Sequence, residues 1–395
     1  MPHPARATFD ALVVGAGPAG SHLACLLARG GRRVALLDKA RFPRDKVCGG
    51  GLSRKSLGLL GDVAPVVHKW IGGAQLALHD GPALVRDTRP AAGCTVTRAE
   101  FDQLLVVRAR DAGAQFFEQT AFLDLQGDSS GAVVRTSRGS FSCRKLYAAD
   151  GAGSTVRARV FGKSAVSYVP ALEALVPASQ DALQEFGERA LFDFCAMPRG
   201  YGWIFPKRDH LNVGVYSPFG GSALRRHLDE FIDRYPALRG QARPAYRGYA
   251  IPLRNVAGAY ERGPVALVGD AAGLAEAVFG EGIYFALRSA QLAARAELAA
   301  DGAREADFYT RLLARELLPE LRAARWLAAC LFALPRFALE RLVRNPQANE
   351  LFAGLITGET GYRACLRKAA LAWPAWMLRA APSRGGRCDQ NDAMA

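Results

Sequence analysis

The 395-residue sequence predicts an α/β protein in three parts: a parallel-sheet domain, an antiparallel-sheet domain and a C-terminal helical region. Three observations carry that reading. An apolar run of the buried-strand type, Ala11-Leu12-Val13-Val14, meets a glycine-rich turn and then a helical leucine stripe. Residues 166–254 hold short strands bounded by proline and glycine, and residues 304–380 are amphipathic and helical in period.

The elements follow in order. After the first strand comes Gly15-Ala16-Gly17-Pro18-Ala19-Gly20, then a helix over 21–29 with Leu23, Leu26 and Leu27 on one face. Gly30-Gly31 closes it, and residues 33–38 form a second strand. Residues 97–111 are helical and 114–149 read as short strands. In the antiparallel part, 201–207 and 211–216 are strands joined by Arg208-Asp209-His210. Val265 to Val268 is another buried strand, followed by Gly269-Asp270 and a helix over 282–300. Pro319, Pro335, Pro346 and Pro374 are read as helix breakers. The domains are then 1–165 with 255–303, possessing an excursion near 72–92 into the second domain; 166–254; 304–381; and a flexible tail over 382–395.

Composition narrows the function. Half the residues are hydrophobic and 22% are charged, which excludes a disordered chain. The net charge of +14 divides as +7 over 1–150, +2 over 151–303 and +5 over 304–395. No basic block stands out, so nucleic acid is not an expected partner, and a diffuse positive field favours anionic ligands or an anionic membrane surface. The eight cysteines form no C-x-x-C pair, so no metal is expected. No secretory leader is evident and the longest apolar run, Trp326 to Leu334, is too short to span a bilayer; a cytoplasmic protein with reduced thiols is expected.

The turn after the first strand carries the sharpest chemistry. Gly15 permits the tight turn, Gly17 lets a pyrophosphate approach the backbone, and Gly20 lets helix and strand pack. The helix N-terminus offers amides and a positive dipole to the anion. Asp38 stands at the end of the second strand, where a carboxylate accepts ribose hydroxyls and repels a 2′-phosphate. This fingerprint makes the first domain Rossmann-like but suits NAD and FAD alike. Gly269-Asp270-Ala271-Ala272-Gly273 adds a second carboxylate with small residues around it, and the helix that follows could stabilise the negative charge of a reduced flavin. Asp270 could equally cap a helix.

Taken together the motifs resemble the para-hydroxybenzoate-hydroxylase-like FAD proteins, and within them the geranylgeranyl reductase family. The residues concerned are the Gly15–Gly20 turn, Lys46-Val47-Cys48-Gly49-Gly50, Arg98 with Phe101-Asp102, Ala149-Asp150-Gly151, Tyr201-Gly202-Trp203-Ile204-Phe205-Pro206-Lys207, Gly269–Gly273 and Gly280-Glu281-Gly282-Ile283. The resemblance implies FAD, with its ADP half held by Gly15, Gly17, Ala19, Gly20, Asp38 and Lys39. It also implies Arg98 and Lys46 toward the pyrophosphate side, Gly269 and Asp270 at the ribityl chain, and Gly282 and Ile283 under the pyrimidine edge. Asp150 marks a second FAD contact region, and Cys48 and Gly49 lie near the isoalloxazine. Tyr201, Trp203, Phe205 and Lys207 would contact substrate.

Several residues keep two readings. Cys48 beside Lys46 could donate a proton, or be a small residue tolerated beside a ring. Tyr201, Trp203 and Phe205 alternate onto one strand face, which suits either a sheet core or a wall against an isoprenoid chain. Lys207 is either solvated or an anion contact, and so is the basic loop Arg41, Arg44 and Lys46. The role of Glu281 is open. Trp326, Leu327, Leu331, Phe332, Phe337, Trp373 and Trp376, interleaved with arginines, belong to a buried helical subdomain or to an interfacial surface.

The expected reaction is FAD-dependent saturation of a carbon–carbon double bond in a polyprenyl chain. NAD(P)H or a ferredoxin-like carrier would supply electrons, and Cys48 and Tyr201 are the candidate proton donors. A flavin monooxygenase or halogenase is the first rival, although the Trp-x-Trp-x-Ile-Pro element of halogenases is matched only at Trp203. A non-enzymatic prenyl-binding protein is the second.

Overall fold

A computed structural model describes residues 8–78, 84–88, 91–128, 130–162, 166–219, 222–239, 241, 245–253, 259–299, 307–334 and 336–379. The expected tail over 382–395 lies outside them, as do Pro335 and the side chain of Trp373. The chain is mixed α/β, as its sequence predicts.

The first sheet has the strand order 261–262, 265–267, 139–148, 8–14, 34–37, 115–117. The pairs from 265–267 through 115–117 are parallel. The strands 122–128 and 131–136 add an antiparallel hairpin to 139–148. Leu12, Leu36 and Leu146 are fully buried, and helices Pro18–Arg29 and Arg98–Asp111 pack against the sheet. The first helix is Pro18–Arg29, three residues longer at its start than the leucine stripe suggests. Pro18 is a helix starter here, since its missing N–H costs nothing in the first turn.

Gly15 and Gly20 make the strand–turn–helix crossing possible. Gly15 has φ +102°, and a Cβ on Gly20 would fall 1.8 Å from the Gly15 carbonyl oxygen. Gly20 is thus a packing residue and does not line the site. Helix Ile283–Ala299 lies against Pro18–Arg29, and Gly269, with φ +57°, admits Ala19 at close range.

The second sheet has the order 247–253, 167–177, 210–216, 201–206, 189–193, 73–77, 84–87. It is antiparallel except where 189–193 runs parallel to 73–77, a crossover that an all-antiparallel expectation misses. Strand Tyr201–Pro206 is covered on both faces. Ile204 packs with Val213, Leu228 and Phe231 on the outer side, while Tyr201, Trp203 and Phe205 face the first sheet. The Trp203 indole lies flat on Gly214: a Cβ there would sit 2.1 Å from it. A small three-stranded sheet, 51–53, 93–95 and 69–71, joins the two larger ones.

Five C-terminal helices, Phe308–Glu316, Leu318–Phe332, Arg336–Arg344, Pro346–Thr357 and Tyr362–Arg379, complete the described fold. Pro319 and Pro346 sit in first turns and start helices. Pro374 lies inside the last helix and does not end it, contrary to its expected role as a breaker. None of the described helices is long and apolar enough to cross a membrane.

Two glycines should respond to substitution in opposite directions. Gly214→Val drives side-chain atoms into the Trp203 indole, and an overpacking loss of about 1–3 kcal/mol is expected in denaturant unfolding. Gly58 sits exposed in a helix with open space where a Cβ would go. Gly58→Ala should raise stability by up to about 1 kcal/mol in the same measurement.

Candidate functional site

A single chamber of about 780 Å³ runs between the first sheet, the second sheet and the helical region. Gly15, Gly17, Ala19, Asp38, Lys39, Lys46, Cys48, Gly49, Arg98, Asp150, Asp270, Gly282, Ile283, Tyr201, Trp203 and Phe205 all line it. Residues separated by up to about 270 positions in sequence therefore share one wall. Gly20, Gly269 and Lys207 do not line it; each supports a residue that does.

The cradle end is polar, with its cations set among carboxylates. A Cβ on Gly17 would meet only the guanidinium tips of Arg44 and Arg98, at 3.5 and 3.9 Å, so backbone and two cations converge there. Asp38 accepts hydrogen bonds from the amides of Ala16 and Ala40, both at 2.8 Å, which fixes its carboxylate at the strand end. Asp102, buried in the helix Arg98–Asp111, grips Arg98 through two hydrogen bonds of 2.8 Å and meets Arg44 at 3.0 Å. Burial would lower the Arg98 pKa, but Asp102 outweighs it and the guanidinium is held firmly charged. Arg41 stays exposed and outside the chamber.

Asp270 lies in a 3-10 turn and does not cap the following helix. Its carboxylate accepts from Tyr249 Oη at 2.9 Å and faces Lys46 Nζ at 3.5 Å. Burial, reinforced by Arg98, pulls the Lys46 pKa down. Asp150 has a second employment. It accepts from the amides of Thr155 and Val156 and from the Ser154 hydroxyl, so it starts the helix Thr155–Val160. Gly282 and Ile283 present the N-terminus of helix Ile283–Ala299 to the chamber, where open amides favour negative charge.

These donors suit FAD: a glycine turn, fixed cations, a ribose-directed carboxylate and a helix N-terminus converge on one long cavity.

The far end is apolar. Tyr201, Trp203 and Phe205 meet Phe192 and Phe279, with ring centroids 5.5–6.4 Å apart. Leu355 and Ile356 from the helical region complete the wall. Tyr201 donates its hydroxyl proton to the Phe279 carbonyl, and burial pushes its pKa well up. Its proton is therefore already committed to a backbone carbonyl, which weighs against Tyr201 as a donor.

Lys207 is 2% exposed, so it is neither solvated nor aimed at a ligand. Its ammonium donates to the carbonyls of Gly49 at 2.7 Å, Val96 at 2.8 Å and Gly50 at 3.4 Å. Burial lowers its pKa to about 8. The residue pins the Cys48–Gly50 loop to the second sheet. Cys48 Sγ accepts from the Gly50 amide at 3.4 Å and its own amide donates to Glu173 at 3.3 Å.

Glu173 and Glu276 escaped the sequence reading. Glu173 belongs to a buried chain: Trp203 Nε1 donates to Asn212, whose amide donates to Glu173. Burial raises the Glu173 pKa. The only available signal was a lone acid within an apolar run, as in Ala171-Leu172-Glu173-Ala174-Leu175 and Leu274-Ala275-Glu276-Ala277-Val278. Among the described residues no cluster could hold a metal ion.

Residues 8–168 match the family described as "FAD binding domain". The chain is 32% identical to the menaquinone reductase of Mycobacterium tuberculosis (strain ATCC 25618 / H37Rv) over 361 residues, covering 83% of this chain and 85% of that one. It is 29% identical to the digeranylgeranylglycerophospholipid reductase 2 of Methanosphaera stadtmanae, covering 71% and 75%. A crystal structure of a geranylgeranyl bacteriochlorophyll reductase-like protein from Thermoplasma acidophilum superposes with a TM-score of 0.77 at 22% identity, over 94% of this chain and 98% of that one. Because sequence kinship extends far past the nucleotide turn and into the second sheet, the chain belongs to the geranylgeranyl reductase family of FAD-dependent oxidoreductases.

Proposed function

We propose that this protein saturates carbon–carbon double bonds of a polyprenyl chain. The observation that supports this most is the chamber itself: a charged, FAD-suited cradle continues without a wall into an aromatic, nearly uncharged slot. An isolated alkene offers no group for a hydrogen bond, so shape, apolar contact and exclusion of water must hold it. When bound, FAD would supply two-electron transfer to carbon, reloaded from NAD(P)H or a ferredoxin-like carrier.

The protein's own part is positioning. Gly15, Gly17, Ala19, Asp38 and Lys39 would hold the ADP half, Arg44, Lys46 and Arg98 the pyrophosphate side, and Asp270 the ribityl chain. Gly282 and Ile283 would face the pyrimidine edge, and Cys48 with Gly49 the ring. Asp150 shapes that wall from behind by fixing the helix Thr155–Val160. Trp203 and Phe205, with the ring of Tyr201, would flank the prenyl chain, and Cys48 is the better placed of the two expected proton donors. Lys207 acts through the loop it pins.

The substrate is a lipid, and one surface suits its source. Trp326, Phe337 and Leu371 are 68%, 58% and 85% exposed. Arg322, Arg325, Arg336, Arg344, Arg367 and Lys368 are exposed beside them on the same helices. Exposed aromatics among cations suit the headgroup region of an anionic membrane. The protein would work at the cytoplasmic face of that membrane.

Four outcomes are expected. Under anaerobic conditions, dithionite-reduced protein should be reoxidised by a member of a panel containing menaquinone, geranylgeranyl diphosphate and geranylgeranylated glycerolipids. The lipid should gain two mass units per double bond; reoxidation by none of them, or an oxygenated or halogenated product, defeats the proposal. Tyr201→Phe should keep its rate within about threefold, because loss of a general acid costs about 10²–10⁴-fold, while Lys207→Met should weaken FAD binding at least about tenfold by leaving three buried carbonyls unpaired. In co-sedimentation with vesicles, phosphatidylglycerol should retain the protein, phosphatidylcholine should not, and Trp326→Ser should reduce retention.

A further inference from the structure

Behind the chamber wall lies a group of ionisable side chains that the reaction as described leaves unused. Glu276 is 0% exposed. Its carboxylate accepts the amides of Val278, Phe279 and Glu281 at 2.7–2.9 Å, so it ties together the loop that leads into Gly282 and Ile283. Glu281 lines the chamber, and its carboxylate accepts from Ser53 Oγ at 2.7 Å and contacts Lys55 Nζ at 2.5 Å. Ser53 also lines the chamber, and its hydroxyl meets Ser56 Oγ at 3.0 Å. From the last helix, the buried Tyr362 hydroxyl stands beside Glu276, whose charge, followed by that of Glu281, acts on it.

We propose that Glu276 is a proton store for the chamber, filled when the bound flavin is reduced and emptied through Glu281 and Ser53 when the substrate is reduced.

The balance of the reaction calls for such a group. Converting an alkene into a CH–CH unit takes two electrons and two protons. FAD, when bound and reduced, would supply both electrons and one proton, enough for the first C–H bond. The second C–H bond needs a proton from elsewhere, and an apolar slot is a poor host for water. Glu276 would take that proton from solvent during flavin reduction, give it up along the path through Glu281 and Ser53, and be left as the carboxylate.

The charges around Glu276 fit that cycle. Glu281 faces it from its own loop, Lys55 from the helix Arg54–Leu60, Tyr362 from the helix Tyr362–Arg379, and Tyr201 and Tyr216 from the second sheet. Burial raises its pKa to about 7; the Glu281 and Val278 amides and Lys55 oppose the rise and the Glu281 charge adds to it. Burial alone would lower the Lys55 pKa, but contact with Glu281 reverses this, so the ammonium stays charged and steadies Glu281. Negative charge arriving at the neighbouring helix N-terminus would raise the affinity of Glu276 for a proton further.

The inference rests on the proposed placement of the flavin at Gly282 and Ile283 and not on which lipid is reduced. Its test uses the FAD-loaded protein without substrate, so a negative result here and a negative lipid panel are separate findings. The midpoint potential of the bound flavin is measured by spectroelectrochemistry from about pH 6 to about pH 9. Below about pH 7 Glu276 is protonated in both redox states and reduction takes up one proton per two electrons. Above it, reduction should take up two, so the pH slope should double on the alkaline side and Glu276→Gln should show one unbroken slope. Titration of the flavin ring alone would steepen the acid side, the opposite sign. Equal slopes in wild type and variant overturn the proposal. If the variant does not retain FAD, the wild-type reduced-minus-oxidised infrared spectrum decides: at about pH 8 a protonated-carboxyl band that shifts in D₂O is expected, and its absence overturns the proposal.

Discussion

The chamber depends on one buried ammonium. Lys207 stands at the end of the strand Tyr201–Pro206 and reaches the carbonyls of Gly49, Gly50 and Val96, which belong to the loop and small sheet on the other wall. An unpaired charge costs several kcal/mol or more to bury. Three carbonyl dipoles offset that cost only if their geometry is fixed, so the lysine and the loop specify each other. Gly50 contributes by its own conformation: φ is +64°, and a Cβ there would lie 2.2 Å from the Val96 oxygen and 2.8 Å from Lys207 Nζ. Thr95 reinforces the joint by donating to the Pro206 carbonyl at 2.7 Å. The second sheet is thereby locked to the Cys48 loop, and every residue between them inherits its place.

A similar economy governs the cationic end. Arg44, Lys46 and Arg98 would repel one another in an empty cradle, and Asp38, Asp102 and Asp270 interleave with them at 2.8–3.8 Å. The aspartates orient the cations and leave the cradle poised for a pyrophosphate. With three cations against three aspartates the cradle adds nothing to the net charge of +14, whereas basic residues such as Arg322, Arg325, Arg344 and Arg367 stand exposed on the C-terminal helices.

What the sequence made legible was local. Gly15, Gly17 and Gly20 announce themselves because a strand, a tight turn and a helix must follow within a few residues. Alternation alone put Tyr201, Trp203 and Phe205 on one face. Roles set by distant partners were not legible. Nothing near Lys207 in the chain names Gly49 or Val96, so a lysine after a strand read as solvated or ligand-facing. Asp150 lies in a motif associated with FAD, yet its carboxylate is occupied by the Ser154–Val156 turn. Pro374 read as a breaker and sits within a helix. Glu173 and Glu276 needed the fold to become visible, since their importance is the apolar surroundings that burial creates.

The polar and apolar halves of the chamber also explain each other. A prenyl chain can be held only by surfaces that offer it nothing polar, whereas a dinucleotide demands fixed charge. Both needs meet within one cavity because the acids nearest the slot are spent before they face it: Glu173 on Asn212 and the Cys48 amide, Glu276 on three amides, Glu281 on Ser53 and Lys55. The slot is therefore lined mainly by rings and aliphatic groups, Glu173 and Glu281 reach the chamber with their carboxylates already bonded, and Glu276 stands behind it. Such a wall would keep the proposed alkene dry and still leaves carboxyl groups at the cavity, and neither sheet could provide that alone.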